Sequence, residues 1–449
     1  DDSARVAPSR GHRLAERSAR DQADCDYTSA PPELTDPRMT HPSQYQSQMS
    51  QAAPAVSVPE SNGEALAATF DLSAVPRELG RVEATEPGPT LICLGGLHGN
   101  EPAGVLAIDR VLKQISRSSE GLCGSLIGLT GNIRALAADR RFVQRDLNRI
   151  WRPSRVEQLS ALPGPLNDED QELVELNASL SRILDEAPGR VYLLDLHTIS
   201  GPGPAFAILD DTLQNREVAL DFPVPLVLGL EEKLGGTLAS YMTAQGVTVV
   251  GFEAGMHDDP TSVDRAASAI WIALDSCGVF EHETRSEVVE ARDLLRRQSH
   301  CPARIVEVRY RHNVAEGESF EMVPGFASFD PIAAGQEVGT VRGGKVRAPR
   351  SGLMLMPLYQ DQGNDGFFLV NEVRPAWLPV SAVVRRLGLE RFLHLLPGVE
   401  RDPNRRQTFI VDRRYALWFA RQLFHLLGFR QEGKDGPRLT MTRRRDQLL

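Results

Sequence analysis

Several protein classes are excluded by what this chain lacks. It has no uninterrupted apolar run of about 18 residues, the length a membrane-spanning helix needs. It has only five cysteines (Cys25, Cys93, Cys123, Cys277 and Cys301), odd in number and without a CxxC pair. That pattern argues against a disulfide scaffold and a cysteine-rich zinc site, and reduced thiols are the expectation. A cationic excess is absent too: 50 Lys and Arg stand against 60 Asp and Glu, a formal net charge of −10. Non-specific nucleic-acid binding needs a basic face that displaces counterions, so a nucleic-acid partner is not expected. No basic region followed by an apolar stretch opens the chain, and a cytoplasmic protein without a membrane partner is expected.

Residues 1–60 contain no Ile, Phe or Trp and are rich in Ser, Gln, Ala, Pro and charge. Such a segment buries too little apolar surface to offset the entropy of ordering, so it is expected to be disordered. Met49 is a candidate start within it.

The pattern changes after that extension. Thr90–Leu94, Ser125–Thr130, Val191–Leu194, Ala205–Leu209, Leu226–Leu230 and Val247–Phe252 are short apolar runs that read as buried strands. Between them, Pro102–Ile115 and Asp170–Leu184 carry apolar residues at helical spacing, and Asp259-Pro260 reads as the start of a third helix. Alternating strands and helices predict an α/β domain with a largely parallel sheet over residues 61–300. Its ligand site should lie beyond the carboxyl ends of the strands. Residues 301–375 read as a small all-β module with Gly and Pro turns. Residues 376–449 read as helical, and from Arg401 onward 12 Lys and Arg face 5 Asp and Glu. That basic end is read as a solvated helix pair covering the β module.

The sharpest local signal is Leu91-Ile92-Cys93-Leu94-Gly95-Gly96-Leu97-His98-Gly99-Asn100-Glu101. A strand runs into two glycines, which permit a tight turn, and then into His-x-x-Glu. The His nitrogen and the carboxylate form an N/O pair that suits zinc, whose catalytic sites use three protein ligands and a water. Asp195-Leu196-His197 ends another expected strand, so His197 is the candidate third ligand and Asp195 a carboxylate that orients it. An isolated HxxE is common by chance, and a lone histidine is more often a packed or hydrogen-bonded one. Arg141-Phe142-Val143-Gln144-Arg145-Asp146-Leu147-Asn148-Arg149 offers guanidinium forks that match carboxylates, although a charged run by itself is more often a solvated loop. Gly251-Phe252-Glu253-Ala254-Gly255 brings Glu253 to the same sheet edge, where it could take a proton from metal-bound water or be an ordinary strand-end acid.

In this order and spacing, the segments from His98 to Glu253 resemble the succinylglutamate desuccinylase/aspartoacylase family, among the zinc carboxypeptidase-like hydrolases. The resemblance implies a mixed sheet flanked by helices, followed by a barrel-like β module that walls the site. It implies that His98, Glu101 and His197 hold one Zn²⁺ per chain. Glu253 would be the general base and later the acid, and Arg141 would polarise the scissile carbonyl. Asn148 and Arg149 would bind the carboxylate of a small anionic acyl-amino-acid-like substrate. The implied reaction is attack of metal-bound water on an amide or ester bond. The alternative is a zinc carboxypeptidase acting on a short peptide or peptidoglycan fragment, and the partners left open include a second copy of the chain. The sequence departs from the aspartoacylase pattern in two places. Leu234–Phe252 contains no Arg or Lys, and Gln360–Gly366 contains no Tyr, although Tyr359 adjoins it. N-acetylaspartate is therefore not singled out as the substrate.

Overall fold

The structure, a computed structural model, describes residues 70–443 apart from 118–120, 162–165, 281–284, 302, 316, 406, 413, 416–419 and 436. The expected disorder of residues 1–60 thus falls outside the described residues. Among the described residues no helix is long and apolar enough to cross a membrane.

The main sheet begins with β1 (Glu78–Glu83), β2 (Thr90–Gly95), β3 (Ser125–Thr130), β4 (Val191–Ile199), β5 (Phe206–Ile208), β6 (Leu226–Leu228) and β7 (Thr248–Met256). It continues with β8 (Ile305–Asn313), then β10 (Pro331–Ile332), β13 (Gly352–Leu355) and β14 (Asp365–Glu372), while β9 (Phe320–Met322), β11 (Glu337–Val341) and β12 (Gly344–Arg347) form a separate three-stranded sheet. The eleven strands run in the order β1-β3-β2-β4-β7-β5-β6-β8-β14-β13-β10. Within it β2 pairs in parallel with β3 and β4, and β4 in parallel with β7.

A central parallel strand is covered on both faces, which is why these runs are continuously apolar rather than alternating. In β2 the division between faces is plain. Leu91 and Cys93 enter a core with the helices Ala103–Arg117 and Thr261–Ser276. Ile92 and Leu94 enter a second core with the helix Asp168–Glu186 and the shorter helix Leu238–Ala244. All four side chains are buried, and successive residues point to opposite faces as strand geometry requires. Burying one Leu or Ile stabilises by about 1.5–3 kcal/mol, so substituting Asp at Ile92 would break this layer.

The β-rich segment after residue 301 is continuous with the main sheet. β8 runs parallel to β6, and β14 adds to β8 in antiparallel fashion. Strands of this segment thus extend the edge of the large sheet, and the loop between β13 and β14 reaches the carboxyl edge of β4.

The expectation of helical structure over 376–449 is corrected. The helix Trp377–Arg386, a 3-10 segment Leu389–Leu395 and a short helix Ala420–Leu426 are present. Among the described residues they are joined by an antiparallel four-stranded sheet of β15 (Val399–Arg401), β16 (Thr408–Asp412), β18 (Arg438–Arg443) and β17 (Phe429–Asp435), in that order. The reason is a local period of two. Phe409 and Val411 are buried and so are Leu439 and Met441, while the residues between them are less so. With Thr, Val and Ile interleaved, this pattern favours a pleated strand. Abundant Leu and Arg masked that signal.

Candidate metal centre and active site

The turn after β2 needs its glycines. Gly96 has φ +67°, a left-handed conformation that L side chains rarely adopt. A Cβ on Gly99 would lie 2.0 Å from the backbone carbon of Ala135, so only glycine lets the loop pass the neighbouring helix Ile133–Ala137. That passage delivers His98 and Glu101 to the carboxyl edge of the sheet. β4 delivers Asp195 and His197 to the same edge, and β7 delivers Glu253. The ladder places His197 opposite Glu253 and Asp195 opposite Gly251.

His98, Glu101 and His197 converge, with one donor atom from each within 4.8 Å of the others, and among the described residues this is the trio of His, Cys, Asp or Glu that does so. The Glu101 carboxylate sits between the two rings. Its Oε1 lies 2.8 Å from His98 Nδ1 and its Oε2 lies 2.9 Å from His197 Nδ1. The Thr198 amide donates to Oε2 at 3.0 Å. Each ring has a carboxylate against its other nitrogen. Asp146 Oδ1 is 3.1 Å from His98 Nε2, and Asp195 Oδ2 is 3.1 Å from His197 Nε2. In metal sites an outer carboxylate of this kind fixes the tautomer and turns the lone pair of the inner nitrogen toward the ion.

The electrostatics follow from burial. Burial alone would raise Glu101, but His98 and His197 outweigh it and hold its carboxyl well below the usual carboxylate range. Burial opposes the charge on His197 as well, yet Asp195 and Glu101 raise that ring well above the ordinary histidine value. Glu253 goes the other way. Its burial pushes it up to about 8, and the charges of Glu101 and Asp195 add to the effect. Glu253 Oε2, Asp195 Oδ1 and Arg141 Nε are buried without a hydrogen-bond partner. Buried polar atoms are costly to leave unpaired, and such orphans cluster where a ligand or ion completes the site. All three residues line one cavity together with the His98, Glu101 and His197 trio.

The loop bearing Arg141 is shaped by a residue that motif reading missed. Glu169, fully buried, accepts the backbone amides of Val143, Gln144 and Arg145 at 2.6, 3.0 and 3.2 Å. Arg141 lies 3.0 Å from Asp146 and 3.5 Å from Glu101. Asn148 and Arg149 also line the cavity. The Asn148 side-chain oxygen accepts the Leu238 amide at 2.9 Å, so its Nδ2 is the donor left for a ligand. Arg149 donates to Asp365 at 2.7 Å, and Arg311 pairs with the other oxygen of that carboxylate. Asp365 is invisible to local motif reading because its place beside Arg149 depends on β14 joining the main sheet.

The β13–β14 loop closes one side. Gln360 Oε1 accepts from Asn100 Nδ2 at 2.8 Å and lies 3.1 Å from His257 Nε2, while His257 Nδ1 lies 2.7 Å from Thr198 Oγ1. Burial pulls His257 below the usual histidine value. Tyr359 is engaged elsewhere: its hydroxyl donates to the Val323 carbonyl at 2.8 Å and accepts the Phe326 amide at 3.0 Å. Lys345 is exposed on the β11–β12 hairpin and pairs with Glu337 at 2.7 Å.

Comparison with known proteins agrees with the motifs. Residues 87–266 match the family model of the Succinylglutamate desuccinylase/Aspartoacylase catalytic domain, so the resemblance read from His98 to Glu253 is borne out. The succinylglutamate desuccinylase of Ectopseudomonas mendocina (strain ymp) is 32% identical over 125 residues, 26% of this chain and 35% of that protein. That of Pseudomonas fluorescens (strain SBW25) is 32% identical over 117 residues, 26% of this chain and 33% of that protein. The chain thus spans about a third of the length of these curated relatives. Among solved structures, a succinylglutamate desuccinylase/aspartoacylase from Rhodobacter sphaeroides has a TM-score of 0.48 at 20% identity, covering 66% of this chain and 88% of that one. The product-bound ectoine utilization protein EutE (DoeB) from Ruegeria pomeroyi has a TM-score of 0.47 at 19% identity, covering 65% and 87%.

Proposed function

We propose that this chain is a zinc-dependent hydrolase that cleaves the amide bond of a small, carboxylate-bearing N-acyl amino acid, in the cytoplasm. The observation that carries the reading is the trio itself, two histidines bridged by one carboxylate, with an outer carboxylate on each ring and Glu253 across the ladder. Its N/N/O donor set fits Zn²⁺, and one ion per chain would be held by His98, Glu101 and His197. When bound, zinc supplies Lewis acidity to an acyl carbonyl and makes a water nucleophilic near neutral pH.

The protein's own groups supply the rest. The buried, partnerless oxygen of Glu253 is the atom that accepts a proton from the attacking water. The same carboxyl then gives the proton to the leaving amine. Arg141, held by Asp146 and Glu101, faces the cavity with a guanidinium that stabilises negative charge developing on the acyl oxygen. Arg149, steadied by Asp365, and Asn148 through Nδ2 bind the substrate carboxylate.

The domain reading is of one piece with this. Residues 61–300 form the catalytic domain, and 301–375 act as a barrel-like wall. Met356, Leu358, Gln360 and Asp365 of that segment line the cavity, which favours a small substrate over a long peptide. The test is a hydrolysis screen of N-acetyl, N-succinyl and N-formyl amino acids and simple esters, with and without a chelator. Chelator-sensitive release of a free amino acid is expected. Turnover that a chelator leaves untouched would contradict the reading.

A further inference from the structure

Two wall segments of the active-site cavity show an alternation that the reaction does not explain. Asp210 and Glu231 line the cavity, while their chain neighbours Asp211 and Glu232 point to side chains from the far end of the sequence. Arg385, on the helix Trp377–Arg386, is completely buried. Its Nη2 lies 2.9 Å from Asp211 Oδ2 and donates to the His425 carbonyl at 3.1 Å, and its Nη1 donates to the Asp211 carbonyl at 2.9 Å. Arg216 pairs with the same Asp211 carboxylate and donates to the Leu378 carbonyl at 3.2 Å. His425 is itself held between two carboxylates, with Nε2 3.0 Å from Glu232 and Nδ1 2.9 Å from Glu307.

We infer that Arg385 and His425 are positioning residues, through which the segment 377–443 fixes the two cavity walls around Asp210 and Glu231 and so sets which substrate fits. The inference rests on reading the cavity as the hydrolase site. Neither residue touches the reacting atoms. Each grips a carboxylate one peptide unit away from a cavity-lining side chain, so a shift at the grip is passed to the wall. Buried ion pairs of this kind add little net stability but resist the removal of one partner, which suits a fixed geometry. Small displacements of a binding wall weaken the fit of the substrate, since a misplacement of about 1 Å can cost on the order of 100-fold.

The clamp also carries a pH signature. Burial opposes the charge on His425, but Glu232 and Glu307 outweigh it and raise the ring to about 9. Arg309 pairs with Glu307 at 2.6 Å, and Asp211, Arg216, Glu372 and Arg374 face His425 across the neighbouring groove. At neutral pH the imidazolium therefore sits between Glu232 and Glu307 as a cation. Above about pH 9 its loss leaves two carboxylates without the charge between them.

The test uses the full chain and a substrate with no group titrating between pH 8 and 10. In Arg385→Lys and His425→Gln, KM should rise about tenfold or more with kcat less affected and zinc content unchanged. Lysine reaches Asp211 but lacks the fork that also holds His425, so Arg385→Lys should be milder than Arg385→Ala. Wild-type KM should climb as pH passes about 9, and His425→Gln should lack that step. Hydrogen exchange of segments 209–212 and 229–234 should quicken in both variants, a readout independent of turnover. If the wild-type chain hydrolyses no acyl amino acid, the hydrolase reading fails while the exchange experiment still judges the clamp. Folded variants with unchanged exchange there, or with unchanged KM and pH profile, overturn it.

Discussion

His197 on β4 lies directly opposite Glu253 on β7 in the parallel ladder. The spacing between a proposed metal ligand and the proposed base is thus set by strand register. A slip of β7 by one residue would turn Glu253 to the other face while His197 stayed in place, so the apolar residues that lock the register also hold the two groups together. Glu253→Gln should keep the shape and the zinc while removing the proton acceptor. Turnover should fall by roughly 10²–10⁴ with metal content unchanged. Steady-state kinetics beside metal analysis checks this, and undiminished turnover would remove Glu253 from the mechanism.

Asp146 and Asp195 each sit 3.1 Å from the outer nitrogen of a ring, on His98 and His197 respectively. Asp146→Asn and Asp195→Asn should each weaken zinc binding by roughly 10- to 100-fold, because the inner nitrogens lose their fixed tautomer. Competition with a coloured chelator measures this directly. Equal affinity in both variants would show that the outer carboxylates serve only packing.

Arg149 donates to Asp365 at 2.7 Å, so the proposed substrate carboxylate would share the guanidinium with it. Arg149→Ala should cost about 1.5–3 kcal/mol in binding, or roughly 10- to 100-fold in KM, for a substrate with a free carboxylate. A carboxamide analogue should be a poor substrate for the wild type and little changed by the substitution. An equal loss for both substrates would place Arg149 in folding rather than recognition.

Burial pushes Glu253 up to about 8, above its ordinary 4.5. In metal-free protein the folded state therefore keeps a proton there that the unfolded state releases. Stability from this group is whole below about 4.5 and falls as pH rises toward 8. Glu253→Gln should consequently melt higher than wild type at pH 8 without metal, with the difference closing near pH 4.5. Melting temperatures of both proteins in chelator across that range test the sign.

Strands β2 to β7 of the main sheet were legible because each carries its own signal, a short apolar run ending in Gly or a polar turn. His98, Glu101, His197 and Glu253 were legible for the same reason, since each sits where such a run ends. Asp365, Gln360, Glu169 and Asp146 were not assigned. Their roles arise where distant segments meet, at a buried carboxylate under a loop or at a β-strand edge, and no local period encodes that. Residues 376–449 misled because the apolar alternation of Phe409 and Val411, and of Leu439 and Met441, is short and set among helix-favouring Leu and Arg.

The central claim is that His98, Glu101 and His197 together hold one zinc ion. Calorimetric titration of Zn²⁺ into metal-free wild type and into His98→Ala and His197→Ala measures it most directly. The account predicts about one high-affinity site per chain in the wild type and none in either variant. A variant that still binds one equivalent as tightly as the wild type would contradict it.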